Sequence, residues 1–142
     1  NTRWIEVCDE IKKMDYEIIV VGMNKNDDQF SQYTDLRGST SLNELFLILD
    51  NAHMIVCVDS GIFHMASILK KKTISLFGPV NHKLRIYNKD ISICIESKSV
   101  PCLSCFERVD LSEYRNHCII GNNLCMKSIP ANEVIKNIKE IV

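Results

Sequence analysis

The sequence lacks an excess of charge of one sign, a long apolar run and any repeated or low-complexity tract. Its 17 basic and 18 acidic side chains leave a net charge of −1, whereas a nucleic-acid-binding domain typically carries a basic face or stripe. No stretch approaches the roughly 18 consecutive apolar residues that a bilayer-spanning helix needs. No signal peptide is visible. These absences argue against a nucleic-acid partner and a membrane span.

What the sequence does contain is an ordinary globular balance, with 46% apolar and 25% charged residues over 142 positions, which predicts a single compact domain over 1–142. Short apolar runs alternate with segments of helical periodicity. Predicted strands cover 17–21, 54–58, 73–77 and 91–95, and predicted helices cover 3–14, 61–69 and 131–142, with one more helix opening at 41. This alternation predicts a three-layer α/β domain with a mostly parallel sheet, in which ligands bind at the carboxyl ends of the strands. The strand over 17–21 is expected to be buried on both faces.

The helix after Ser41 has a start signal of its own. Ser41 and Glu44 have the spacing of a capping box, in which each side chain bonds the amide of the other residue. An apolar stripe is predicted to follow on that helix. Its members are Leu42, Leu45, Phe46 and Leu49.

The segment Val58–His64 lies where a predicted buried strand gives way to a helix. The first amides of a helix lack internal partners and the helix dipole makes that end positive, which suits a phosphate. Ser60 and Gly61 can present N–H groups, and glycine lets a phosphate approach the backbone closely. His64 can donate to a phosphate oxygen, and Asp59 can accept from a sugar hydroxyl. The alternative is that Asp59 and Ser60 only cap the helix and that His64 is a packed polar residue.

The loop after the strand at 73–77 carries two minor candidates, His82 and Arg85. Its place in a parallel sheet puts it near the expected ligand. We expect both side chains to be solvent-exposed, with ligand contact as the alternative.

Several stretches of the chain resemble one family. Residues 58–66 (Val-Asp-Ser-Gly-Ile-Phe-His-Met-Ala) and 73–79 (Thr-Ile-Ser-Leu-Phe-Gly-Pro) are together similar to the signature of the heptosyltransferases that use ADP-heptose, glycosyltransferase family nine. Residues 35–42 (Asp-Leu-Arg-Gly-Ser-Thr-Ser-Leu) resemble the family's segment ahead of the preceding helix. Arg3 and Trp4 resemble the start of the first helix of its donor domain, so the resemblance covers nearly the whole chain.

The resemblance implies a Rossmann-like domain, the C-terminal, donor-binding half of a two-domain GT-B transferase. In such transferases the turn that matches 59–64 contacts the diphosphate and sugar of the donor, and the position of Thr40 lies near the nucleotide. Arg3 is the candidate to replace a phosphate-binding lysine whose place falls near Thr2. Asp27 and Asp28 are alternative ligands for the ribose.

The reaction that the resemblance implies is inverting transfer of heptose or a related sugar from a nucleotide-diphosphate donor, with ADP-heptose favoured, to a lipopolysaccharide-core, other glycan or protein acceptor. It implies no catalytic metal. The catalytic base and acceptor pocket belong to an N-terminal domain which, with the first strand of the donor domain, is expected outside this chain, so we expect no catalytic residue here and no activity of this segment alone.

We expect a cytoplasmic location, with peripheral association at the inner membrane left open. Two alternatives to the transferase interpretation remain. One is a nucleotide-binding module without transferase activity, and the other is a protein-interaction domain whose working surface is its cysteine-bearing loop.

Seven cysteines divide into two groups. Cys8, Cys57 and Cys94 lie in apolar runs and are predicted to be buried thiols of a reducing compartment. The loop over 97–127 holds the other four. These are Cys102, Cys105, Cys118 and Cys125.

Four such thiols, two of them at i, i+3 spacing, can close a tetrahedral zinc or iron site. Two disulfides or four free thiols are the alternatives, and His117 is an alternative ligand. The pattern is similar to the C-terminal part of bacterial autotransporter heptosyltransferases, where four cysteines hold iron. The expected role is structural, because four protein ligands leave no open position for chemistry.

Overall fold

The computed structural model describes residues 2–108, 118 and 120–142. Within them the chain forms the predicted α/β fold, and each strand pair is parallel. Two compact units are present, Asn1–Asn51 with Ala131–Val142 and Ala52–Pro130. Among the described residues, no helix combines the length and the apolar character needed to cross a bilayer. A single domain over 1–142 stays a prediction.

The predicted elements appear in the predicted order, and two short ones are added: the strand Thr34–Asp35, and the helix Leu124–Lys127 inside the segment predicted to be a loop over 97–127. In chain order the regular elements are α1 (Thr2–Lys13), β1 (Ile19–Val20), β2 (Thr34–Asp35), α2 (Leu42–Asn51), β3 (Ile55–Val58), α3 (Gly61–Ile68), β4 (Thr73–Phe77), β5 (Ser92–Glu96), α4 (Leu124–Lys127) and α5 (Ala131–Ile141). Short 3₁₀ turns cover His82–Leu84 and Cys105–Glu107. The predicted strand and helix boundaries differ from these mostly by one or two residues.

In the first unit, β1 and β2 pair in parallel with Ile19 opposite Thr34. Helices α1 and α5 pack together through apolar faces that bury Val7, Val134 and Ile138. The prediction that the run at 17–21 is buried on both faces is wrong, since Ile19 is 44% exposed. A two-stranded sheet has no interior strand, so its side chains keep contact with solvent.

Helix α2 begins at the predicted capping box. The Ser41 amide donates to Glu44 Oε2 at 2.8 Å, and the Glu44 amide donates to Ser41 Oγ at 3.3 Å. The apolar stripe is only partly buried, because Leu49 is enclosed whereas Leu42 is 71% exposed and Phe46 is also exposed. The periodicity therefore predicted the helix correctly and overstated the width of its buried face.

In the second unit, β3, β4 and β5 form a parallel sheet with β4 in the centre. All five residues of β4 are buried, as expected for an interior strand covered on both faces. Phe77 at the end of β4 meets Phe63 of α3 edge to face, with 5.3 Å between ring centroids, and both rings are fully enclosed. This aromatic pair fixes α3 against the carboxyl end of the sheet, where the candidate ligand residues lie.

Candidate functional site

The turn between β3 and α3 presents an open helix end. Ser60 is the residue that precedes the first turn of α3, and its backbone is extended (φ −162°, ψ 176°). Its side chain makes no capping hydrogen bond, so the interpretation of Ser60 as a simple cap fails. The hydroxyl and the first amides of the helix are available to a ligand in place of that bond.

Gly61 leaves open space beside the start of α3. It is exposed, and a Cβ built on it would meet no atom within 4 Å. A phosphate can therefore approach the backbone at the positive end of the helix dipole.

His64 and Asp59 flank the same helix end. The His64 ring is half-buried and lies edge-on to Phe63, with 5.4 Å between centroids, and 6.2 Å from the Tyr87 ring. Asp59 follows β3 directly, and its amide donates to the Leu76 carbonyl at 3.2 Å, which continues the pairing of β3 with β4. The structure thus brings Asp59 and His64 together with Ser60 and Gly61 on one turn, and their ligand roles stay predictions.

His82 differs from its expectation. Its side chain is only 19% exposed, because Nδ1 lies 2.9 Å from Glu96 Oε2 and the ring edge meets Phe77 at 6.1 Å between centroids. The prediction of solvent exposure is therefore wrong for His82, and Arg85 is also half-buried rather than exposed. Glu96 is the residue that the sequence reasoning missed, since the end of β5 carried no motif.

The first unit holds the remaining predicted donor ligands. Thr40 is half-buried directly before the capping box, and Arg3 is exposed in the first turn of α1. Asp27 bonds Arg37 Nη1 at 3.1 Å, whereas the side chain of Asp28 is 88% exposed with a 3.8 Å contact to Lys25. Asp28 is thus the less engaged of the two ribose candidates.

A second feature of the first unit was not anticipated. Arg37 holds Asp35 through two nitrogens, Nε and Nη2, each 2.9 Å from a carboxylate oxygen, and its guanidinium lies 4.7 Å from the Phe30 ring centroid. The guanidinium hydrogen bonds lower the pKa of the nearly enclosed Asp35 carboxyl to about 2. No sequence pattern signalled this pair, because β2 itself was not predicted.

The four cysteines of the 97–127 loop are all described, whereas His117 lies outside the described residues. Cys105 and Cys125 are buried, and burial raises the pKa of both thiols, with smaller contributions from the charges of neighbouring cysteines. Cys118 Sγ accepts from the Asn123 amide at 3.4 Å, and this and adjacent backbone amides lower its pKa. Cys105 and Cys125 therefore lie within electrostatic reach of the other cysteines of the loop, and Cys118 already has an environment that suits a thiolate.

These sulfurs do not yet form a closed ligand set. Within 2–108, 118 and 120–142, no three His, Cys, Asp or Glu side chains gather closely enough to hold a metal ion. The cysteine segment is nevertheless anchored, because a Cβ on Gly78 would lie 2.8 Å from Cys125 Sγ and from Met126 Sδ. The metal site stays a prediction.

The other three thiols lie in the environments that the sequence predicted, with one difference. Cys8 and Cys57 are buried, whereas Cys94 is half-buried. Burial raises the pKa of Cys57 to about 12 and those of Cys8 and Cys94 to about 11. These groups remain protonated near neutral pH and are unreactive as nucleophiles.

Comparison with known proteins gives a consistent result. The sequence profile of glycosyltransferase family 9 (heptosyltransferase) matches residues 1–114. The chain is 22% identical to lipooligosaccharide heptosyltransferase 2 of Campylobacter jejuni subsp. jejuni serotype O:6, over 96% of this chain and 37% of that protein. It is 28% identical to lipopolysaccharide heptosyltransferase 3 of Escherichia coli K12, over 58% of this chain and 27% of that protein. No solved structure gives a significant match.

Proposed function

Because the chain belongs to glycosyltransferase family 9, the heptosyltransferases, we propose that it binds the nucleotide-diphosphate sugar of an inverting glycosyltransferase. The chain spans 37% of the Campylobacter relative and 27% of the Escherichia relative, so the transfer activity of the whole protein is part of the same proposal. ADP-heptose is the proposed donor, a glycan of the lipopolysaccharide core the proposed acceptor, and the cytoplasm the proposed location.

One observation carries the proposal: the helix end at the β3–α3 turn is open and uncapped. The Ser60 side chain does not bond the first amides of α3, and a Cβ on Gly61 would meet no atom within 4 Å. Unpaired amides at a helix N-terminus have a partial positive charge, and a diphosphate supplies both the acceptors and the negative charge that they lack.

The same turn supports a role in the transfer step. When the bond between sugar and diphosphate breaks, the leaving diphosphate gains negative charge. Donors that are already in place stabilise that charge more than they stabilise the bound substrate, and this difference lowers the barrier. We assign this role to the helix-end amides, Ser60 and His64, so that no divalent ion is required. Asp59 is assigned to a sugar hydroxyl, because a carboxylate accepts and does not donate.

Thr40 and Arg3 are proposed as further donor ligands on the family resemblance. The half-buried position of Thr40 beside the start of α2 and the exposed position of Arg3 on α1 are compatible with contact to a ligand.

A structural zinc or iron ion is a separate part of the proposal. Its ligands would be Cys102, Cys105, Cys118 and Cys125, whose thiolates suit both metals. Support comes from the shared electrostatic environment of the thiols and from the amide that donates to Cys118 Sγ. Binding would require the sulfurs to draw closer together.

The donor proposal is tested on the full natural protein with ADP and ADP-heptose, by calorimetric titration for the affinity and by thermal unfolding for the melting temperature. We expect both to bind and to raise the melting temperature; at one hundred times the dissociation constant the stabilisation is about 2.7 kcal/mol. His64→Ala should weaken the binding of both ligands, and Asp59→Ala should weaken the binding of ADP-heptose. His53→Ala is the matched control, because His53 is exposed at the opposite end of β3.

Two results would contradict the proposal. Absence of binding by either nucleotide would favour the interaction-domain interpretation. Binding that His64→Ala, Asp59→Ala and His53→Ala leave equally unchanged would place the nucleotide away from the β3–α3 turn.

A further inference from the structure

The carboxyl edge of the second unit's sheet carries two carboxylates in one row. Phe77 at the end of β4 pairs with Glu96 at the end of β5. On the other side of Phe77, the pairing of β3 with β4 ends with Val58 opposite Leu76, where the Asp59 amide donates to the Leu76 carbonyl, so Asp59 is the next residue in line beside Phe77. Residues opposite one another in parallel strands face the same side of the sheet, so Asp59 and Glu96 flank Phe77 about 10 Å apart, two strand spacings.

The side of the sheet that bears this row is also the side of the β3–α3 turn. Phe63 of α3 packs edge to face on Phe77. His64, the next residue of α3, lies in edge contact with Phe63, and His82 lies in edge contact with Phe77. A continuous series of rings therefore joins His64 at the helix end to His82 beside Glu96.

His82 is held in a fixed position. Its Nδ1 bonds Glu96 Oε2, which leaves Nε2 for another partner. The loop beneath it is fastened at several points: the Asn81 amide donates to Glu107 Oε1 at 2.8 Å, and the Phe106 amide donates to the Pro79 carbonyl at 2.8 Å. An imidazole oriented by a carboxylate and supported in this way is preorganised for a ligand contact.

The chemistry of this pair selects its ligand. A carboxylate only accepts hydrogen bonds and repels a phosphate, whereas sugar hydroxyls donate and accept. With the diphosphate at the helix end, as the proposed function requires, the sugar is the uncharged, hydroxyl-rich part of the donor. We propose that Glu96 and His82 bind hydroxyls of the transferred sugar and determine which sugar is accepted. This inference rests on the proposed function and adds a sugar-specific contact to it.

The inference is tested by the difference between two ligands. Calorimetric titration of the full natural protein with ADP and with ADP-heptose gives a ratio of affinities that isolates the sugar contribution. In Glu96→Gln and His82→Ala we expect ADP affinity to stay within about twofold and ADP-heptose affinity to fall about five- to tenfold, the effect of losing a hydrogen bond or two. Leu84→Ala is the control in the same loop, because Leu84 is 65% exposed.

Each other outcome overturns the inference. An equal loss for ADP and ADP-heptose would mean that His82 contacts phosphate or only supports the loop. Unchanged binding of ADP-heptose in both variants would mean that the sugar lies elsewhere. Failure of the proposed function gives different results. If the unmodified protein bound neither ligand, both the proposed function and the sugar contact would fall. If His64→Ala left ADP binding intact, only the placement of the diphosphate at the β3–α3 turn would fall.

Discussion

Arg37 makes polar contacts with two separate segments of the first unit. Its guanidinium donates to the Asp35 carboxylate through two nitrogens. It also donates to the carboxylate of Asp27 at 3.1 Å and to the backbone carbonyl of Asp27 at 2.8 Å. These bonds tie the stretch after β1 to the end of β2. The spacing of Asp35 and Arg37 could not reveal this pair. Two residues this close in the chain become partners here because β2 ends at Asp35 and the chain turns before Arg37.

Asp35 should make the stability of the protein sensitive to acid. Its folded pKa of about 2 lies below the ordinary value near 4, so its contribution is fully present above about pH 4 and is lost as the pH falls through about 2. We expect the urea midpoint of Asp35→Asn to be lower than that of the unmodified protein at pH 7 and to fall less between pH 5 and pH 2.

The matched control for this change is Asp28→Asn, whose side chain is 88% exposed. It should follow the unmodified protein at every pH. Parallel acid profiles for Asp35→Asn and the unmodified protein would show that the Arg37 pair contributes nothing to folding.

At the scale of elements, the sequence predicted those whose signals are local. The capping box at Ser41 and Glu44 and the strand β4 appear where they were expected. The elements that were missed or misjudged depend on partners distant in the chain. β2 is only two residues long and exists through its pairing with β1, and the exposure of Leu42 depends on what packs against α2 rather than on periodicity.

The start of α2 offers a direct measurement of the capping box. Ser41→Ala removes the acceptor for the Glu44 amide and should lower the free energy of unfolding by about 1 kcal/mol. Ser39→Ala is the control, since Ser39 lies outside the box and its hydroxyl donates to the Arg37 carbonyl at the long distance of 3.5 Å. Chemical denaturation distinguishes the two, and equal stabilities would remove the cap from the account of α2.

Gly78, at the end of β4, should tolerate no side chain. A Cβ there would lie 2.8 Å from Cys125 Sγ and 3.3 Å from Cys125 Cβ, so Gly78→Ala must displace the Cys125 side chain of α4. We expect a loss of about 1–3 kcal/mol in the free energy of unfolding. Gly61→Ala, with no atom within 4 Å of the new carbon, should leave the stability nearly unchanged in the same urea titration. A neutral Gly78→Ala would mean that α4 is not seated against β4.

At the scale of the whole molecule, the alternation of strands and helices was sufficient to predict an α/β fold with ligands at the carboxyl ends of its strands. It was also sufficient to place Asp59 and His64 on one turn. It could not place Glu96 beside His82, because that contact depends on the register of β5 against β4. Registers are set by packing, which a single sequence expresses only as an apolar run.

The four cysteines of the 97–127 loop predict the metal content of the purified protein. Protein prepared without chelators should contain about one equivalent of zinc or iron, and its removal should lower the unfolding temperature because binding energy is then lost from the folded state. Cys105→Ser should abolish the metal, whereas Cys94→Ser should retain it, since Cys94 lies on β5 outside that loop. Elemental analysis showing less than about half an equivalent would count against a tightly held ion.

The attachment of residues 104–107 to the loop after β4 has a consequence for how such proteins diverge. The Ser104 amide donates to the Gly78 carbonyl, and the Phe106 amide donates to the Pro79 carbonyl. Main-chain atoms, which a substitution does not remove, therefore link the cysteine segment to the loop after β4 that carries His82. A lineage that shortened or reshaped this segment, even while keeping every thiol, would shift the imidazole of His82, which we propose to bind the sugar. Changes of substrate preference should therefore arise from substitutions in the cysteine segment as well as from substitutions of His82 and Glu96.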